Sequence, residues 1–160
     1  MQNFRTGFGF DVHQLVENRD LILGGVRIPF HKGLYGHSDA DVLVHAIIDA
    51  LLGAAALGDI GTQFPDTDIK YKDISSLILL KETAELISAK TYKIGNIDTT
   101  VVLEHPKLKL FIPEIIANLS SVLKIESSAV SVKATSTEGL GFTGNGEGVA
   151  AYASVLIFST

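Results

Sequence analysis

Residues 7–13, Gly-Phe-Gly-Phe-Asp-Val-His, alternate bulky apolar side chains (Phe8, Phe10, Val12) with small or polar ones (Gly7, Gly9, Asp11, His13). A period of two specifies a half-buried strand and puts Asp11 and His13 on the same face. A carboxylate and an imidazole projecting side by side from a strand can grip a divalent metal. The plainer reading is a polar strand face turned to solvent, and D-x-H alone leaves both open.

The next polar cluster, Gly36-His37-Ser38-Asp39-Ala40-Asp41, precedes a long apolar segment. Ser38 with Asp41 three residues on reads as a capping box, and Asp39 and Asp41 suit the positive end of a helix dipole. The predicted helix covers residues 38–57 and stops at Gly58. It carries Asp41, His45 and Asp49 four residues apart, hence on one face. Charge on an otherwise apolar helix must find a partner if buried. One solution is internal, a core histidine held by flanking aspartates. The other joins His45 to Asp11 and His13 around a metal, leaving one tetrahedral position open as in catalytic zinc sites.

The chain has 160 residues, 46% hydrophobic and 19% charged, which suits one domain spanning residues 1–160. It has no cysteine, so a transition metal must be held by His, Asp or Glu. A net charge of −5 without a basic block argues against nucleic acid as a partner. No segment reads as membrane-spanning, and residues 1–10 lack the apolar run of a signal peptide. The expected location is the bacterial cytoplasm, or an organelle stroma after processing. A mean hydropathy of +0.31 is high for so short a chain and suggests further burial in an oligomer.

Strands are predicted at residues 4–15, 94–104, 129–136 and 149–158, with a Gly24-Gly25 hairpin across 21–28. Helices are predicted at 38–57, 74–90 and 107–123, with Pro113 bending the last. Residues 29–36, 58–73 and 137–148 read as loops. The fold class is therefore α/β (α+β): a mixed four-stranded sheet with helices on one face and a small N-terminal hairpin. The other face should meet another subunit, and the last strand, apolar on both sides, fits that.

Three further clusters carry polar groups. Loop 58–68 holds Asp59, Asp66 and Asp68 beside Gly61 and Phe64; such aspartates can accept from substrate hydroxyls or simply form Asx turns. Residues 133–138 end a strand with Thr135, Ser136 and Thr137, then Glu138, a set able to hold phosphate oxygens and a hard cation, or to be an ordinary Thr-rich strand end. The glycine-rich run 139–148 allows close backbone approach to a ligand, or is a hairpin loop; it is not a P-loop.

Taken together, Gly9-Phe10-Asp11-Val12-His13, His37-Ser38-Asp39-Ala40-Asp41-Val42 through His45-Ala46 to Gly58-Asp59-Ile60-Gly61, Phe64-Pro65-Asp66-Thr67-Asp68, and Lys133-Ala134-Thr135 through Glu138 to Gly141-Phe142-Thr143-Gly144 resemble the 2-C-methyl-D-erythritol 2,4-cyclodiphosphate synthases. The resemblance runs over essentially the whole chain. It implies a homotrimer whose sheets pack around the three-fold axis, with active sites between neighbours. The implied reaction turns a cytidine diphosphate-linked methylerythritol 2-phosphate into a cyclic diphosphate and CMP. By that resemblance Asp11, His13 and His45 bind one Zn²⁺ per subunit, and Glu138 helps hold Mg²⁺ or Mn²⁺. His37 and Ser136 stabilise the transition state. Ser38, Asp59, Gly61, Phe64, Asp66 and Asp68 line the erythritol pocket. Leu103, Glu104, His105, Pro106, Lys107, Leu108 and Lys109, with Thr135, Thr137, Phe142 and Asn145, complete the substrate site, the cytidine end coming from the adjoining subunit. Two departures stand out: Ser136 replaces a usual threonine, keeping the hydroxyl, and Asn145 replaces a frequent basic residue that can meet isoprenoid diphosphates at the trimer axis. The competing readings are a zinc hydrolase using the same Asp/His/His set, and a non-enzymatic trimeric module for a nucleotide or lipid phosphate.

Overall fold

The computed structural model describes residues 3–159. Strand β1 (Phe4–Glu17) is followed by the short strands β2 (Leu21–Leu23), β3 (Val26–Ile28) and β4 (Lys32–Leu34). Helix α1 (Val42–Ala54), the helical turn α2 (Ile60–Gln63), a 3₁₀ turn at Ile69–Tyr71 and helix α3 (Ser76–Ala89) come next. Then follow β5 (Tyr92–Val102), α4 (Ile112–Leu123), a 3₁₀ turn at Ser127–Ala129, β6 (Val130–Thr135), the helical turn α5 (Gly141–Gly144) and β7 (Gly148–Ser159).

The main sheet has the order β4-β1-β7-β5-β6. All its pairs are antiparallel except β5 with β6, which are parallel and joined through α4. The sheet thus has five strands where four are predicted. The addition is β4, which pairs with the end of β1 from Leu15↔Leu34 to Glu17↔Lys32. Three residues carry too little periodicity to announce a strand. Gly33 permits the closure: a Cβ there would lie 2.2 Å from the Asp20 carbonyl oxygen. The β2–β3 hairpin forms as predicted, with Gly24 at φ +57° and Gly25 at +72°, the left-handed pair a two-residue turn requires.

Helix α1 begins four residues later than predicted and ends at Ala54 rather than residue 57. The capping box is absent. Ala40 is left-handed at φ +56°, so residues 38–41 cannot open a helix. Ser38 Oγ instead accepts from Ala40 N, and Asp41 is the N-cap, accepting from Val44 N. At the far end Ala56 turns left-handed, and Leu57 N returns to Leu52 O at 2.9 Å, closing the helix early. Helix α4 also starts late, at Ile112, so Pro113 falls in its first turn and bends nothing.

The helices cover one sheet face. Their core includes almost the whole of α1, where Leu43, Ile47, Ile48, Leu51 and Leu52 are fully buried. The other face is open and apolar along β1 and β7. Phe8 is 68% exposed and Phe10 45%, and Phe10 stacks with Tyr152 at 5.0 Å between ring centroids.

Candidate metal centre and active site

Two glycines bring α1 down onto β1. A Cβ at Gly7 would stand 1.9 Å from the Ala50 carbonyl oxygen, and one at Gly9 1.9 Å from that of Ala46. The helix therefore lies directly on strand backbone. Two and four residues beyond Gly9, on the same inner face, come Asp11 and His13. They meet His45, near the start of α1.

The three form a tight triangle. Asp11 Oδ2 lies 3.0 Å from His13 Nε2 and 3.1 Å from His45 Nδ1, and the two nitrogens are 3.2 Å apart. A tetrahedral ion with bonds of ~2.0–2.1 Å has ligand-to-ligand edges of roughly 3.3 Å, so the donor set is close to metal dimensions. Ring orientation agrees. His13 Nδ1 is 2.7 Å from the Tyr35 carbonyl oxygen, which can only accept, so Nδ1 carries a proton and the neutral ring turns a lone pair at Nε2 toward the triangle. Burial pushes the Asp11 carboxyl up, but the neighbouring His13 and His45 imidazoles outweigh it and hold its pKa at about 2. Burial pulls the His13 imidazole down, and Asp11 more than offsets that, leaving it above its ordinary value. A carboxylate held in its charged form against two imidazoles can take a cation. Among the described residues, these three are the one group of acidic or imidazole side chains whose ligand atoms lie within 4.8 Å of one another.

The predicted polar stripe of α1 separates into three tasks. Asp41 is fully buried and binds the hairpin turn, accepting from Gly24 N at 3.0 Å and Gly25 N at 2.8 Å. Burial and the charge of Asp39 push its carboxyl up to about 6 against the pull of those donors. Asp49 accepts from Ile60 N at 2.7 Å and fixes the start of α2. Only His45 enters the triangle, and its Nε2 faces Ser76 Oγ at 2.9 Å and Ser38 Oγ at 3.2 Å. The flanking aspartates do not hold its ring.

The triangle opens into a cavity of ≈ 440 Å³ lined by His37, Ser38, Gly61, Phe64 and Asp66, all expected, and by Ile60, Tyr71 and Leu79, which sequence reasoning misses. Tyr71 meets Phe64 edge-on at 5.6 Å, a contact no local motif signals. Asp59 and Asp68 are outside the lining; they accept from Thr62 N and Lys70 N as caps of short helical turns. Arg19, also missed, clamps the loop bearing His37. Its Nε donates to Leu34 O at 3.2 Å, and its Nη2 to Gly36 O at 3.4 Å and Ser38 O at 3.1 Å.

The remaining expected residues cluster elsewhere, at the ends of β5 and β6. Ser136 Oγ donates to Glu138 Oε1 at 3.2 Å, Gly139 N to Glu104 Oε2 at 3.4 Å, and Lys107 Nζ to Glu104 O at 3.4 Å. Thr137 Oγ1 donates to Leu140 O, and Leu103 N to the Thr135 carbonyl, extending the parallel pair. Leu103 and Leu108 bury their side chains and can offer only backbone. His105 joins Pro106 through a cis peptide, and Lys109 is exposed. A cleft of ≈ 600 Å³ connects Phe142 and Asn145 to His13. Neither Ser136 nor Glu138 lines the cavity of His37 and His45.

The model of the YgbB family matches residues 4–158. A 2-C-methyl-D-erythritol 2,4-cyclodiphosphate synthase of Clostridium kluyveri is 59% identical over 155 residues, 97% of this chain and 94% of that one. Among solved structures, the bifunctional IspDF of Campylobacter jejuni superposes with a TM-score of 0.96 at 44% identity; all of this chain is covered and 43% of that longer protein. The IspF–CDP complex of Plasmodium falciparum gives a TM-score of 0.87 at 37% identity, covering 99% of this chain and 97% of that one. With the Asp/His/His triangle and its cavity in place, the chain belongs to the YgbB family, that of the 2-C-methyl-D-erythritol 2,4-cyclodiphosphate synthases.

Proposed function

We propose that this chain is a phosphorus–oxygen lyase of non-mevalonate isoprenoid biosynthesis. It converts 4-diphosphocytidyl-2-C-methyl-D-erythritol 2-phosphate into 2-C-methyl-D-erythritol 2,4-cyclodiphosphate and CMP. It works as one domain over residues 1–160, in the bacterial cytoplasm, as a homotrimer. The observation that carries this reading is the triangle of Asp11, His13 and His45 at the wall of a cavity sized for a small polyol phosphate.

An oxygen of the 2-phosphate bonds to the β-phosphorus as the bond from that phosphorus to the bridging oxygen breaks. CMP leaves with the bridging oxygen and its electron pair, and no water is consumed. Such a displacement needs in-line alignment and neutralised charge more than a strong base. Asp11, His13 and His45 would hold one divalent ion, read here as zinc, and when bound it would supply Lewis-acid charge at a phosphoryl oxygen. Glu138 is the candidate ligand of a second, hard cation, Mg²⁺ or Mn²⁺. His37, exposed at the cavity, donates to phosphoryl oxygens as their charge grows, joined by the Ser136 hydroxyl. Ser38, Gly61, Phe64 and Asp66, with Asp59 and Asp68 at the margin, take the erythritol. Backbone groups of residues 103–109, with Thr135, Thr137, Phe142 and Asn145, take the cytidine end; a CDP complex is known for the Plasmodium falciparum relative.

The homotrimer is supported by the uncovered aromatic face of β1 and β7 and by the separation of Ser136 and Glu138 from the His45 cavity. A neighbouring copy would cover the first and bring the second group to the cavity. Incubation with the substrate, Zn²⁺ and Mg²⁺ tests the activity. CMP and cyclic product in equal amounts support it. Release of inorganic phosphate instead makes the protein a hydrolase, and binding without turnover makes it a binding module.

A further inference from the structure

The triangle has a support that none of the roles above uses. His45 Nε2 points away from Asp11 and His13 and lies 2.9 Å from Ser76 Oγ. Ser76 is the first residue of α3, fully buried, and its own hydroxyl proton goes to Asp39 Oδ1 at 2.5 Å. The other Asp39 oxygen accepts from Ser76 N at 3.0 Å, while Ser75, the residue in the N-cap position, makes no side-chain cap. One carboxylate therefore grips both the hydroxyl and the amide of a single residue 37 positions away.

The donors settle the direction of the chain of bonds. A hydroxyl has one proton. With that proton given to Asp39, Ser76 Oγ can only accept from His45, so Nε2 carries the imidazole hydrogen. Nδ1 then keeps its lone pair, and Nδ1 is the atom 3.1 Å from Asp11 and 3.2 Å from His13. Ser38 Oγ, 3.2 Å from the same Nε2, is a longer second acceptor.

We infer that Asp39 and Ser76 are positioning residues of the metal centre: a carboxylate–hydroxyl–imidazole relay that sets the tautomer and the ring plane of His45. Partners of this kind behind metal-bound histidines raise ligand basicity, and their loss typically lowers metal affinity by about 10–100-fold. The relay also ties the cavity loop, α1 and α3 to one ligand. It rests on the metal reading above, and the test keeps the two apart.

Ser76→Ala removes the hydroxyl but leaves Asp39 capping the amide of residue 76. Zinc affinity of the purified protein, measured by chelator competition with zinc alone, should fall about 10-fold or more. An affinity within twofold of the parent overturns the inference while leaving the metal reading intact. The second measurement needs no variant: ¹⁵N–¹H long-range spectra of the His45 ring, in parent protein with and without zinc. Hydrogen on Nε2 is expected in both, and hydrogen on Nδ1 overturns the relay. Should the parent fail to bind zinc, the metal reading falls, and the ring spectrum of the zinc-free protein still decides the relay. Should Ser76→Ala fail to fold, that same spectrum decides.

Discussion

At the scale of the residue, Asp11 concentrates the physics of the site. Its carboxylate is worth most when charged and facing the two imidazoles, and it makes His13 hold a proton more tightly than an ordinary histidine does. In the metal-free protein the folded pKa of Asp11, about 2, lies below its ordinary 3.8, so its contribution is present above that ordinary value and lost as pH falls toward 2. His13 is raised above its ordinary value, so the same pair also weakens as pH climbs through the raised His13 pKa. The stability gap between parent and Asp11→Asn should therefore be widest between these limits, about 2 kcal/mol, and narrow on both sides. Urea unfolding across pH, with chelator present, measures it; a pH-independent gap would contradict the pairing. His45→Ala is expected to stay folded and to lose both bound zinc and nearly all turnover, read by metal analysis, circular dichroism and CMP release.

At the scale of the element, what holds α1 to β1 and what holds the His37 loop are separable. Gly9→Ala would press a methyl into the Ala46 carbonyl, so α1 must shift. The expected cost is ~1–3 kcal/mol with a matching drop in zinc affinity, because His45 moves with the helix. Denaturant titration and chelator competition check both. Arg19→Ala acts on the other unit. It removes donors to three carbonyls of residues 34–38, and should lower kcat about 10-fold or more while zinc content stays at the parent level. Loss of zinc in that variant would show that the loop supports the metal instead.

The elements also show what the sequence made legible. Asp11 and His13 follow from period-two alternation, and His45 from a charge on an apolar helix, so their convergence is one of two readings that pattern offers, and the family resemblance selects it. The start of α1 is not: Ser38 and Asp41 have capping-box spacing, but the cap is a single residue, Asp41, whose carboxylate also serves a hairpin 16 residues upstream. Strand β4 is too short for any periodic signal. Ser76 and Arg19 act through partners 31 and 15–19 residues away, which no local pattern encodes. Ser136 and Glu138 are visible as a polar strand end only, and their proposed link to the site rests on the resemblance.

At the scale of the molecule, the open sheet face is where the proposed assembly would form. Phe8 and Phe10, 68% and 45% exposed, form with Tyr152 an aromatic patch that a second copy would bury. Phe8→Asp should break the trimer. Light scattering after gel filtration would then read a mass near 17.1 kDa in place of three times that value. Activity should vanish with assembly while each chain keeps its zinc, since all three ligands come from one chain. Retained turnover by a single chain would show that the catalytic apparatus is complete within it.

The contact of α1 with β1 passes through main-chain atoms, with Gly7 and Gly9 leaving nothing in between. The gauge of the ligand triangle is thus set by peptide units, whose dimensions do not vary from one homologue to the next. Apolar core side chains remote from the three ligands and from Ser76 and Asp39 can then be exchanged without detuning the proposed ion site, so long as those two hydrogens-only positions persist.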